Sequence, residues 1–114
     1  MSSRGRPRRS DSFRRFEILL PRRFNDGQPV SDELIADTLL ELEEHFGAVS
    51  CETQIIRGLW RNENQLFRDD LVRVFVDAPD VSESRQFFFD FKERAKAKFK
   101  QVDIWMTTYP IEVL

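Results

Sequence analysis

Arg15, Glu17, Leu19, Leu71, Arg73, Phe75, Trp105 and Tyr109 are the residues of this 114-residue chain whose types suit a binding surface. They come from three segments with a two-residue period, in which the intervening residues, such as Phe16, Ile18, Val72, Val74, Ile104 and Met106, are apolar. Side chains alternate across a strand, so burying the second set leaves the first on the opposite face of a sheet. Such a face, with aromatic rings and both signs of charge, can stack on a second copy, Arg15 or Arg73 meeting Glu17 or Asp69 across the interface. It can also form a platform for single-stranded nucleic acid, or be covered by the chain's own termini. Three rings offer about 600 Å², on the order of 15 kcal/mol gross, against an association cost of roughly 4–15 kcal/mol. A homodimer is the expectation, since Glu17, Asp69 and Asp103 repel a nucleic-acid backbone.

Two basic sets stand apart from that face. Arg22, Arg23, Arg61, Arg68, Lys98 and Lys100 are expected at one end of the fold, near the start of the first helix, where an anionic metabolite would find positive charge. Asp26, Asp32, Glu33, Glu63, Asp69 and Asp70 share that neighbourhood and make a solvated mixed-charge rim the competing reading. Arg4-Gly5-Arg6-Pro7 resembles the Arg-Gly-Arg-Pro core of an AT-hook, an extended arm that lies in the narrow minor groove of A·T-rich DNA. Residues 1 to 15 hold six arginines and one aspartate, a balance of +5, and the other 12 basic and 19 acidic residues leave −7. An acidic body opposes the approach of its own basic arm to DNA.

Catalytic constellations are sparse. His45, the only histidine, is placed to favour a helix dipole. Asp69 and Asp70 are adjacent in a strand, so they point to opposite faces and cannot work as a pair. Cys51 is the only cysteine, which excludes an internal disulfide and a cysteine-built zinc site, and it is expected to be a small buried hydrophobe. No metal or cofactor is expected, and the chain reads more as a binding module than as an enzyme.

The elements that position these residues follow from pattern. Residues 1–12 contain no apolar residue after Met1 and are expected to be a disordered arm, with one domain over 13–114. A first strand centres on Phe16–Leu20, and Ser31 caps a helix with stripe Ile35, Leu39, Leu42 and Phe46, stopped by Gly47. Residues 49–60 and 71–76 form a hairpin joined by a polar turn over 61–65, with Gly58 marking a bulge that re-aims Trp60. A second helix starts near Asp80 or Ser82, with Asp80 and Glu83 at capping-box spacing, and runs to about Lys100 with stripe Phe88, Phe91, Ala95 and Phe99, leaving Phe89 exposed. The last strand spans 102–109. This order predicts an α+β ferredoxin-like plait, a four-stranded antiparallel sheet of order 4-1-3-2 with two helices on one face. No stretch approaches the roughly 18 apolar residues of a membrane span, and a cytoplasmic location is expected.

Gly58-Leu59-Trp60 before the turn and Arg68-Asp69-Asp70 at the start of the third strand give the chain, from about Arg15 to Leu114, a resemblance to a family of small bacterial ferredoxin-like proteins. The family has no known activity, so the resemblance implies a fold and no catalytic residue. The function expected is a small non-catalytic binding or regulatory module, homodimeric through the open sheet face. The alternatives are a DNA-associated protein using its arm and a dimeric α+β-barrel enzyme with a pocket under the sheet.

Overall fold

Residues Phe16, Ile18 and Leu20 of strand β1 (Phe13–Pro21) are buried and Arg15, Glu17 and Leu19 are half-exposed, so the strand's alternation sets the two faces of the molecule. The computed structural model describes residues 12–52 and 54–114. The expected basic arm, with Arg4, Gly5, Arg6 and Pro7, lies outside the described residues.

Helix α1 (Asp32–Phe46) begins where Ser31 accepts a hydrogen bond from Leu34 N at 3.1 Å, with Asp32 and Glu33 complementing the dipole. It ends at Gly47, whose φ of 86° places it in the left-handed region open to glycine, and whose N–H donates to Glu43 O. Leu42 and Phe46 are buried, and Ile35 and Leu39 pack at the edge of the core. Helix α2 (Ser82–Lys98) buries Phe88, Phe91 and Ala95, and Phe99 follows them into the core just past its end. The expected Asp80–Glu83 capping box does not form. Val81 takes the N-cap position without a side-chain bond, and the Asp80 carboxylate is taken by Arg14 at 3.0 Å. Phe88 stacks on Phe16 at 4.1 Å and Phe46 at 5.2 Å, so one ring ties both helices to the same face of the sheet. Removing such a side chain from water is worth about 1.5–3 kcal/mol.

The remaining strands are β2 (Ser50–Cys51), β3 (Ile56–Asn62), β4 (Gln65–Pro79) and β5 (Met106–Ile111). All pairings are antiparallel, in the order β2-β4-β1-β5 with β3 also on β4. Strand count and order therefore differ from the expected four strands in order 4-1-3-2. The cause is the length of β4, whose 15 residues span roughly 50 Å and take two partners end to end along one edge. Cys51 pairs with Val74 and Ile56 with Leu71, so four residues pass on one side where two pass on the other, and the surplus breaks the expected 49–60 strand. The surplus is even, so the faces keep their alternation across the break.

The β3–β4 register runs unbroken from Ile56↔Leu71 to Asn62↔Gln65, and the expected bulge at Gly58 is absent. Gly58 instead makes room: a Cβ there would lie 3.2 Å from Leu71 Cδ1. The turn is Glu63-Asn64 alone, at φ 49° and 66°, a two-residue primed hairpin tighter than the expected five-residue connection. Two further expectations shift. Cys51 is exposed, because β2 is a two-residue strand at the sheet edge. The last strand starts later and continues through Pro110, whose missing N–H is tolerated because β1 is the only ladder partner of β5 among the described residues. Among the described residues no helix is long and apolar enough to cross a membrane.

Candidate functional site

The sheet face turned away from the helices divides into a charged half and an apolar half. In the charged half Arg15 lies opposite Asp77 and holds it by two hydrogen bonds, Nε at 2.7 Å and Nη2 at 3.0 Å. The bonds to Asp77 hold the Arg15 guanidinium above even its ordinary range, more than offsetting the cost of its partial burial. Arg73 reaches Glu17 and Glu52 with separate nitrogens, and Tyr109 donates its hydroxyl to Glu17 Oε1 at 3.1 Å. Phe75 is clamped between the Arg15 and Arg73 guanidinium groups, 4.4 and 4.6 Å from its ring centre. These bonds join the charged residues of the face into one network across strands.

In the apolar half, Leu19, Leu59, Trp60, Leu71, Ile104 and Trp105 line a groove of about 460 Å³ together with Pro21, Gly58, Gln101, Asp69 and Asp103. The sheet positions its walls. Trp60 stacks on the Phe67 ring at 4.4 Å, its partner across the hairpin ladder, and donates Nε1–H to Asp69 Oδ2 at 2.5 Å. Trp105 is 66% exposed while its backbone carbonyl accepts from Leu19 N at 3.0 Å, which anchors the rim of the groove to β1. Asp103 accepts from Ile104 N at 2.9 Å and pairs with Lys92 at 3.1 Å on its helix side. Asp69 has no ion pair among the described residues, and Asp70 turns the other way to Arg57 at 3.4 Å, as adjacent strand residues must.

Of the eight residues expected on this face, Leu19, Leu71 and Trp105 meet in the groove, and Arg15, Glu17, Arg73, Phe75 and Tyr109 form the network beside it. The six basic residues expected at one end converge in part: Arg22 and Arg23 line one cleft with Ser31, Asp32 and Asp70 at the start of α1. Arg23 and Arg68 share a neighbouring one of about 420 Å³ with Arg57. Lys98 faces Glu41 of α1 at 3.8 Å, Lys100 lies 5.4 Å from the Phe24 ring, and Arg61 is exposed near the hairpin turn. The N-terminus of α1 is already occupied by its Ser31 cap. His45 stacks on Phe87 at 4.0 Å, a contact between the two helices and off the groove. Sequence reasoning missed Trp60, Leu59 and Gln101 as groove residues. The signal for Trp60 lay in the turn: placing it at Glu63-Asn64 puts Trp60 opposite Phe67 and Gly58 opposite Asp69.

No family model matches the chain, and no curated protein matches it in sequence. Among solved structures it is similar to a phage SAM lyase in complex with S-methyl-5'-thioadenosine, at a TM-score of 0.67 and 14% identity over 94% of this chain and 95% of that one. A phage SAM lyase in its apo state gives a TM-score of 0.55 at 14% identity, covering 95% of this chain and 94% of that one. The divalent cation tolerance protein Cut A1 from Thermus thermophilus gives 0.60 at 17% identity, covering 90% of this chain and 86% of that one. At these identities the likeness is one of fold: the chain is an α+β protein, two helices on an antiparallel sheet, of the ferredoxin-like kind these structures share.

Proposed function

We propose that the protein is a small non-catalytic binding module that works as a homodimer, the open sheet face serving both as the dimer surface and as the wall of a ligand pocket. The apolar groove beside a self-neutralised charge network carries this reading. A second copy stacked there covers apolar side chains without stranding an unpaired arginine or carboxylate of the network, which is the usual penalty for burying charge. Leu19, Trp60, Leu71 and Trp105 from each of two copies, at about 1–2 kcal/mol apiece, supply roughly 8–16 kcal/mol, comparable to the ~4–15 kcal/mol cost of association.

The test is the solution mass of the full chain by light scattering across micromolar concentrations, beside Trp105→Asp. Trp105 is exposed, so the variant keeps its fold. A dimer that the substitution converts to a folded monomer supports the reading, and a monomer in both cases sinks it.

A second reading, an enzyme with its pocket on this face, is favoured by the fold shared with the phage SAM lyase. It predicts release of S-methyl-5'-thioadenosine when the chain is incubated with S-adenosylmethionine. An unchanged substrate after long incubation at high enzyme concentration discards it.

A further inference from the structure

We infer that the open-face groove binds a small organic cation, an alkylammonium or sulfonium group carried on an apolar body. The inference rests on the binding-module reading and names the ligand class of the same groove.

Charge separates this groove from its neighbours. None of the lysines and arginines among the described residues lines it. Each of the other clefts described is lined by at least two: Arg85, Lys92 and Lys96 beside α2, Arg22 and Arg23 below α1, and Arg23, Arg57 and Arg68 beside the hairpin. The ionisable residues that do line the groove are Asp69 and Asp103. Lys92 pairs with Asp103 from outside, whereas Asp69, which also borders the arginine-lined cleft beside the hairpin, makes no ion pair among the described residues. One Asp69 oxygen takes the Trp60 indole N–H, and the other has no partner among the described residues.

The walls suit the same ligand. Trp60 and Trp105 are the two tryptophans of the chain, and both line the groove. An indole face is negative, and it attracts a desolvated cation more strongly than other aromatic faces do. Quaternary ammonium and sulfonium groups are poor hydrogen-bond donors with apolar methyls, so they lose little by leaving water for a site of rings and leucines with one carboxylate. A primary amine loses more. The volume, about 460 Å³, is that of a pocket for one small molecule.

Both tryptophans report directly, so intrinsic fluorescence of the full chain is the readout, with light scattering on the same samples. Choline is titrated beside 3,3-dimethyl-1-butanol, its uncharged carbon analogue, and S-adenosylmethionine beside S-adenosylhomocysteine, which lacks the methyl and the charge. The two pairs separate an ammonium from a sulfonium source. The expected result is that at least one cation binds roughly 3- to 30-fold tighter than its neutral counterpart. Asp69→Asn keeps an acceptor for the Trp60 N–H, leaves the thermal melt unchanged and removes that preference. Lys92→Ala, which frees Asp103, tightens binding. Equal affinities within both pairs, a cation preference intact in Asp69→Asn, or no fluorescence change with any probe overturns the inference. None of these outcomes touches the dimer reading, which stands or falls on the measured mass.

Discussion

Cys51 shows how far a residue's chemistry depends on neighbours that composition does not reveal. A lone cysteine in a reduced chain suggests a buried apolar group, yet it lies exposed on β2, where a two-residue strand gives little cover. Partial burial pushes its thiol up, the Arg22 charge draws it down by less, and Glu52 pushes it up again. A raised thiol holds less thiolate at any given pH, and thiolate is the species that alkylates. Folded Cys51 is therefore expected to react more slowly with iodoacetamide at pH 8 than the same residue in the urea-unfolded chain. Its rate-against-pH midpoint should lie above the ordinary thiol value. Glu52→Gln is expected to lower that midpoint and Arg22→Ala to raise it. A folded chain that reacts as fast as the unfolded one would show the local field to be wrong. The site followed the same logic: Arg15, Glu17 and Arg73 were readable as members of one face, but their intrachain pairing depends on the register that sets Asp77 opposite Arg15 and Glu52 beside Arg73, and on the diagonal reach of Tyr109 to Glu17.

The elements best announced by the sequence carry their own stops. Ser31 and Gly47 bound α1 because a hydroxyl acceptor and a left-handed residue act locally, and the Phe88, Phe91, Ala95 and Phe99 stripe needs only the helical repeat. The break between β2 and β3 has no local signal, since it arises from a mismatch in residue number against β4. Between these cases stands the hairpin turn. Glu63 occupies positive φ, a conformation costing a β-carbon-bearing residue about 1 kcal/mol that asparagine and glycine avoid in part or whole. Replacing Glu63-Asn64 by Asn-Gly, the preferred pair for this turn, is expected to stabilise the hairpin by about 1 kcal/mol. Amide hydrogen exchange over Trp60–Phe67 should slow about fivefold while α2 is unaffected. Unchanged exchange in the hairpin would mean that the turn conformation is not what limits its opening.

At the scale of the whole molecule, two supports of different strength share one sheet. The half of β4 beside β1 is buried under both helices, whereas its other half forms a hairpin with β3, whose only ladder partner among the described residues is β4, along a molecule 49 Å long and 27 × 24 Å across. Alternation read from the sequence was enough to assign the faces. The uneven support was not readable, because it depends on where the helices stop covering β4. Trp60 and Leu59 of the groove sit on the less supported half, so stacking a second copy there would restrain the hairpin. Local opening of such an element is drawn from the low end of a protein's stability range. When opening requires the free monomer, protection follows mass action. Above the dimer dissociation constant the monomer fraction falls with the square root of total concentration, so exchange should slow roughly threefold for each tenfold rise in protein. That dependence is expected at Ile56–Phe67 and around Trp105, and not in α2, which lies on the opposite face. Trp105→Asp should abolish it while leaving the core amides of β1 protected. Hairpin exchange independent of concentration, in a chain that scattering shows to be dimeric, would place the dimer surface somewhere other than the open face and leave the groove exposed to its ligand from solvent.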